Sequence, residues 1–159
     1  MSHTTTIKSV PIRSVNALRA AVQELKGKGI KCDLVENEVP RMYYANQHGK
    51  CAFVLKLHDS QYDVGFDQQK DGTYAPVLDI WNQQIAKQVG TTLLDWSTTR
   101  AKDTAEQRAM RKDHQSHIGQ LLQGYSKHAA IQTATSKGYM VQSCTVGADM
   151  QVHIKLSVN

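Results

Sequence analysis

The chain lacks the features that define several large classes of proteins. No stretch of about 18 apolar residues occurs, so the sequence predicts no membrane-spanning helix. The opening MSHTTTIKSV is polar and has no apolar core of the kind that directs secretion. The three cysteines, Cys32, Cys51 and Cys144, cannot all pair and form no CxxC motif. We therefore predict a protein of the cytoplasm, or of an equivalent reducing compartment, without a disulfide framework or a zinc knuckle.

Signatures of enzymes and nucleotide-binding proteins are also missing. The sequence contains no P-loop, no GxGxxG, no GxSxG and no HExxH motif. His114 and His117 are three residues apart on a predicted helix and could reach one metal ion, but no acidic ligand at a fixed spacing accompanies them. We interpret the two histidines as part of a polar helix face. The sequence thus predicts no metal or other cofactor and favours a non-catalytic protein over an enzyme.

The composition is that of a single folded domain. Of the 159 residues, 40% are hydrophobic and 21% are charged, so residues 1–159 can form one hydrophobic core. The net charge of +5 is uneven along the chain. Residues 1–31 carry six basic residues and one acidic residue, residues 32–90 carry five and eight, and residues 91–137 carry seven and four. Two modest basic zones flank an acidic middle, which weakens the inference of nucleic-acid binding that a basic protein invites.

Hydrophobic spacing predicts the helices and strands. An apolar residue every three or four positions indicates a helix over residues 15–26, capped by Ser14. The pair Asp71-Gly72 is typical of a hairpin turn between two strands. The clearest alternation lies in residues 150–158 and predicts a strand with one face in the core and one in solvent. Its apolar residues are Met150, Val152, Ile154, Leu156 and Val158.

The predicted elements follow the order β-α-β-β-β-β-α-α-β-β. Strands at both ends, with a β-meander between them, indicate an α+β fold. We expect a single mixed or antiparallel sheet of about five to seven strands, with helices packed on one face. Residues 91–115 are the most polar part of the chain and are predicted to form a helical insertion. Within it, Leu93, Leu94 and Trp96 predict a loop that packs against the rest of the protein.

Several short segments, in the right order, resemble one protein family. They are MSHTTTIK at residues 1–8, YDVGF at 62–66, DGTY at 71–74, and YSKH at 125–128 followed by GYMV at 138–141. Together they resemble the family called hypothetical chloroplast open reading frame thirty-five. That family is a domain of unknown function found in plastids, cyanobacteria, other bacteria and phages.

The resemblance implies no established enzymatic activity. A phage or cyanobacterial origin suits it, and a phage-encoded protein would act in the host cytoplasm. Some bacterial members lie near genes for AAA-type ATPases, which suggests a partner role by association. The chain departs from the family pattern in two places: Thr4 stands where the family usually has Phe, and residues 91–115 look longer than the family norm.

Two pairs of residues are candidates for a ligand or partner site. Tyr125 and His128 are one helical turn apart, so their side chains can touch. The alternative role for this pair is packing of the helix on the sheet. Asp63 and Asp67 share a face of one predicted strand, where they could bind a cation or act as acid and base. The alternative is that these carboxylates are simply solvated.

Nine basic residues are candidates for contacts with nucleic-acid phosphates. Acidic residues interrupt the second group, and no aromatic RNA-recognition motif is present, so a solvated helix face is the competing interpretation. The candidates are Arg19, Lys26, Lys28 and Lys31 near the start, and Arg100, Lys102, Arg108, Arg111 and Lys112 in the insertion.

The leading hypothesis is a small, non-catalytic accessory protein that binds a macromolecular protein partner, with self-association as a first step. The last strand, expected at a sheet edge, would offer the surface for a homo-oligomer. One alternative is a nucleic-acid-binding accessory protein that uses the basic N-terminal helix and the insertion. Another is a small-ligand-binding protein or enzyme with a pocket near Tyr125 and His128.

Overall fold

The computed structural model describes residues 4–44, 48–98, 102–147 and 151–158. The strands are β1 (Thr4–Thr6), β2 (Cys32–Glu38), β3 (Cys51–Leu57), β4 (Val64–Gln68), β5 (Tyr74–Asp79), β6 (Tyr139–Val146) and β7 (Val152–Val158). The α-helices are α1 (Val15–Gly27), α2 (Ala86–Val89), α3 (Ala105–Lys112), α4 (His114–His117) and α5 (Gly119–Ser136). A short 3-10 helix (Trp81–Gln83) precedes α2.

Five strands form one antiparallel sheet in the order β1-β5-β4-β3-β2. From β2 to β5 the chain runs as a meander, in which each strand pairs with the next one along the chain. The first strand, β1, pairs with β5, and Thr4 lies opposite Asp79. Gly72 adopts a positive φ of 85° between β4 and β5, which confirms the predicted Asp71-Gly72 turn because glycine tolerates that conformation.

The long helices α1 and α5 pack against each other and share the main core with the sheet. The predicted apolar stripe of α1 is buried through Leu18, Val22 and Leu25. Ser14 caps this helix as predicted, because its hydroxyl accepts a hydrogen bond from the backbone N–H of Ala17 at 3.0 Å. The core is therefore formed by the pair of helices on one side and the meander on the other.

The segment predicted as a polar insertion, residues 91–115, is more closely packed than its composition indicates. Leu94 and Trp96 are buried in a small second cluster, as predicted, whereas Leu93 is 48% exposed, so the prediction is wrong for that residue. Arg111 of α3 and His117 of α4 are also buried, with exposures of 4% and 1%. The prediction of a solvated helix face is therefore wrong for Arg111, and that of a polar helix face is wrong for His117. Both residues place their polar atoms in internal hydrogen bonds.

The last two strands, β6 and β7, form a separate two-stranded sheet, called the ribbon below. Helix α5 contacts both strands of the ribbon. The prediction that alternating residues of the last strand lie in the core is wrong within the described part, because Val152 and Ile154 are only partly buried. Leu156 and Val158 are 41% and 80% exposed. Met150, the first residue of the predicted pattern, lies outside the described residues.

The predicted α+β class is confirmed by this architecture. The main sheet has five strands, within the predicted range, and it is antiparallel throughout. The last two strands do not extend it, because they pair with each other. Among the described residues, no helix is long and apolar enough to cross a membrane.

Candidate functional site

Tyr125 of α5 holds the start of α1 in place. Its hydroxyl accepts hydrogen bonds from the backbone N–H groups of Arg13 at 2.7 Å and Ser14 at 3.1 Å. The residue is buried in the main core. These contacts give Tyr125 a packing role, which the sequence left open as the alternative to ligand binding.

His128 faces a different partner from Tyr125. Its Nε2 lies 3.5 Å from Oε2 of Glu24 on α1, and Lys127 also pairs with Glu24. Burial raises the pKa of Glu24, but the hydrogen bond from Lys127 and the surrounding positive charges outweigh it and lower the pKa below its usual value. Glu24, Lys127 and His128 therefore form an ion-pair cluster that joins α1 to α5.

Asp63 is fully buried and bound to Arg41. Its carboxylate accepts hydrogen bonds from Nη2 of Arg41 at 2.7 Å, from Nε at 3.0 Å and from the backbone N–H at 2.9 Å. The guanidinium also donates to the carbonyl of Leu57 at 2.9 Å. The hydrogen bonds to Asp63 raise the pKa of Arg41 further. This network anchors the segment after β2 to the meander, which is a structural task.

Asp67 belongs to a separate cluster with His48 and Cys51. The Nε2 atom of His48 lies 2.7 Å from Oδ2 of Asp67, and its Nδ1 lies 3.7 Å from the sulfur of Cys51. One ligand atom from each of the three residues lies within 4.8 Å of the other two. The sequence predicted Asp63 and Asp67 as a pair, but the structure gives the two carboxylates different partners.

The thiol of Cys51 is held in its protonated form. Burial, reinforced by the carboxylate of Asp67, raises the pKa of Cys51 to about 12. A thiol with such a pKa is a poor nucleophile near neutral pH because the reactive species is the thiolate. The cluster of His48, Cys51 and Asp67 therefore does not have the electrostatics of a cysteine hydrolase.

The basic candidates for nucleic-acid contacts are less available than the sequence indicates. Arg19 pairs with Glu36 at 2.9 Å, and Lys26 pairs with Asp33 at 3.1 Å. Arg111 is buried and paired with Asp103. Arg100 lies outside the described residues. The other candidates are Lys28, Lys31, Lys102, Arg108 and Lys112.

Arg111 organises the segment between the meander and α5. Its Nε donates to Asp103 at 2.6 Å, its Nη1 to Gln83 at 2.8 Å and its Nη2 to the carbonyl of Asp95 at 3.0 Å. Gln83 and its neighbour Asn82 both adopt positive φ values, of 55° and 54°. The hydrogen bond from Arg111 helps to hold this uncommon backbone. A cavity of about 500 Å³ opens beside it, lined by both basic and apolar side chains.

A groove lined by both polar and apolar side chains runs between α5 and the ribbon. It consists of two cavities of about 480 and 420 Å³ that share Ala130. Val152 and Ile154 line the first cavity, and Tyr139 and Leu156 line the second. The ribbon also exposes several large apolar side chains to solvent: Tyr139, Met140, Val146, Leu156 and Val158. The exposed apolar side chains of the ribbon and the apolar end of the groove form a surface of the kind that marks an interaction site.

The sequence did not reveal that His48 and Cys51 lie beside Asp67. Cys51 is buried, with an exposure of 2%. The available signal was the His-x-x-Cys spacing of residues 48 and 51, followed by Asp67 on the next strand. Only the pairing of β3 with β4 brings that carboxylate to the other two residues.

No protein-family model, curated protein or solved structure matches the chain. The features that bear on its function are therefore the ribbon, the groove and the side-chain clusters described above.

Proposed function

We propose that the protein is a non-catalytic protein-binding module, that the ribbon is its docking surface, and that the first occupant is a second copy of the same chain. One observation supports this above the others. The strand β7 has the alternating pattern of a core strand, yet Leu156 and Val158 are exposed. A surface of this pattern gains stability when another protein covers it.

The ribbon is suited to pairing with an additional strand. A two-stranded sheet is marginally stable in water and is usually supported by further strands or a packed helix. Here α5 packs against the ribbon, but the groove between the helix and the ribbon remains open. Within the described residues, β6 and β7 pair only with each other, so each has an outer edge with backbone groups able to bind an added strand.

The sequence of β7 is compatible with pairing to itself. Two identical strands that meet antiparallel about a two-fold axis place residues of the same face opposite each other. With the axis at Leu156, Ile154 lies opposite Val158 of the second copy, and Lys155 lies opposite Ser157. An axis at Lys155 would instead place two lysines opposite each other, which is unfavourable. Of these two positions, Leu156 is the favourable one, and we propose it for the two-fold axis.

The proposed dimer corresponds to the self-association step of the role predicted from the sequence. In that role the dimer then binds a larger protein partner. Nucleic-acid binding receives less support, because Arg19, Lys26 and Arg111 are already paired with carboxylates. The family resemblance and a phage origin remain predictions.

The test is the mass of the protein in solution over a range of concentrations. We expect the native chain to approach twice its 17.7 kDa at high concentration. Leu156→Glu should be monomeric, because two carboxylates would face each other at the axis. Leu93→Glu is the matched control, since Leu93 is a 48% exposed leucine outside the ribbon. This control should dimerise like the native chain.

Two results would overturn the proposal. One is a native chain that stays monomeric at every concentration, and the other is a Leu156→Glu variant that dimerises as well as the control. Far-UV circular dichroism of each variant establishes that the fold is retained. Leu156 is already exposed, so its replacement leaves the main core intact.

A further inference from the structure

We propose that His48, Cys51 and Asp67 form a binding site for a divalent transition-metal ion, with Zn²⁺ as the best match. The site lies between the start of β3 and the end of β4, and it is independent of the ribbon. It goes beyond the proposed protein-binding function, which requires no metal.

The distances between the three side chains suit a shared ion after a small adjustment. A ligand atom from each lies within 4.8 Å of the others. A tetrahedral Zn²⁺ ion, with bonds of about 2.0–2.3 Å to nitrogen, oxygen and sulfur, keeps its ligand atoms about 3–4 Å apart. Nε2 of His48 lies 2.7 Å from Oδ2 of Asp67, and the other ring nitrogen, Nδ1, lies 3.7 Å from the sulfur of Cys51. In the proposed site the ring rotates so that one of its nitrogens faces both other ligands.

The donor set selects a particular class of metal ion. One nitrogen, one sulfur and one oxygen suit Zn²⁺ and similar transition metals, whereas Mg²⁺ and Ca²⁺ prefer oxygen ligands alone. Three protein ligands leave the fourth tetrahedral position for water or another small ligand. A bound metal also displaces the thiol proton, so the buried Cys51 can act as a thiolate ligand even though it is protonated in the metal-free protein.

The surroundings shape the cluster into a site with one open side. A Cβ atom at Gly65 would lie 2.6 Å from the Cys51 sulfur and 3.1 Å from the ring of Pro40, so only glycine fits there without a shift. The sulfur is therefore packed on its protein side against Gly65. The side chains of His48 and Asp67 are 26% and 28% exposed, which gives an ion a path from solvent.

The chain offers a matched control for this site. Nε2 of His58 lies 2.6 Å from Oδ2 of Asp33, so this pair repeats the histidine–carboxylate contact without a cysteine. If a histidine–aspartate pair were enough to bind the ion, the two pairs would behave alike. The proposal requires that only the pair beside Cys51 binds tightly.

The test is a titration of the metal-free full-length protein with Co²⁺ and then Zn²⁺ under reducing conditions. We expect one equivalent of Co²⁺ to produce the absorption band of a thiolate–cobalt bond, and Zn²⁺ to displace it. His48→Gln and Asp67→Asn should each weaken binding by about tenfold or more. His58→Gln and Asp33→Asn should leave the affinity unchanged. Thermal unfolding of each variant separates loss of a ligand from loss of the fold.

Each of the following outcomes would contradict the proposed metal site. Saturable binding that His58→Gln weakens as much as His48→Gln would assign the ion to exposed histidines in general. A cobalt complex without a thiolate band would remove Cys51 from the ligand set. Absence of stoichiometric binding, together with rapid alkylation of Cys51 that His48→Gln abolishes, would instead identify a nucleophilic thiol. The variants at His48 and Asp67 are informative even if Cys51→Ser fails to fold.

Discussion

The five-stranded sheet and the ribbon bury their apolar side chains to very different extents. In the main sheet, Leu55 of β3 and Leu78 of β5 are fully buried beneath the two long helices. In the ribbon, Leu156 of β7 is 41% exposed, although apolar and polar residues alternate more regularly in β7 than in β3 or β5. The comparison teaches that alternation predicts a two-faced strand, whereas burial depends on whether another layer lies against the apolar face.

The largest expected effect is a difference between two leucines. Leu55→Ala should lower the free energy of unfolding by about 2–5 kcal/mol, because it leaves a cavity in a closely packed core. Leu156→Ala should lower it by less than about 1 kcal/mol in the monomer, since an exposed side chain contributes little. Denaturant unfolding at low protein concentration measures both. Similar losses for the two variants would show that the ribbon is covered in the monomer, contrary to this comparison.

An intermediate effect is expected where the meander is anchored by a buried carboxylate. Asp63→Asn should lower the free energy of unfolding by about 2 kcal/mol, because it removes the charge that binds Arg41. Asp59→Asn, at an exposed turn in the same region, is the control and should change stability by less than about 0.5 kcal/mol. The same denaturant experiment applies. Equal stability of the two variants would mean that the Arg41 contact adds nothing in solution.

The smallest effect is expected at the contact between α1 and α5. The pKa of Glu24 is lowered in the folded protein, so its ion pairs stabilise the fold above the ordinary carboxyl pKa of 4.5. This contribution is lost as the pH falls through the lowered folded pKa, when the folded carboxylate also becomes protonated. Glu24→Gln should therefore reduce stability at pH 7 and make little difference at pH 2.5. Thermal unfolding at several pH values measures this, and a pH-independent difference would contradict it.

Much of the main sheet and of α1 could be predicted because their signals are local. The Ser14 cap, the stripe of α1 and the Asp71-Gly72 turn all depend on residues within a few positions of each other. The separation of the ribbon from the sheet was not predictable in this way. A strand pattern identifies a strand but does not name its neighbour, which tertiary contacts decide.

The candidate sites were predicted less well because they join distant parts of the chain. Asp67 was predicted to lie beside Asp63 as a possible cation ligand, whereas its neighbours in the structure are His48 and Cys51. Arg111 was assigned to a solvated face because its neighbours in sequence are charged, whereas its partners Gln83 and Asp95 lie 28 and 16 residues away. Spacing along the chain cannot reveal such partners before the fold is known.

The hydrogen bonds from Arg13 and Ser14 to Tyr125 have a consequence for how the chain tolerates changes in length. The bond to Arg13 spans 112 residues, and it closes a loop that contains the whole meander and the packed segment before α5. Because the entropy of closing a flexible loop grows only with the logarithm of its length, even doubling such a loop costs about 0.6 kcal/mol. Added residues in the exposed turn between β4 and β5, at residues 70–72, would therefore leave the pairing of the two long helices almost unaffected. The two long helices therefore stay paired when the turns between them change in length.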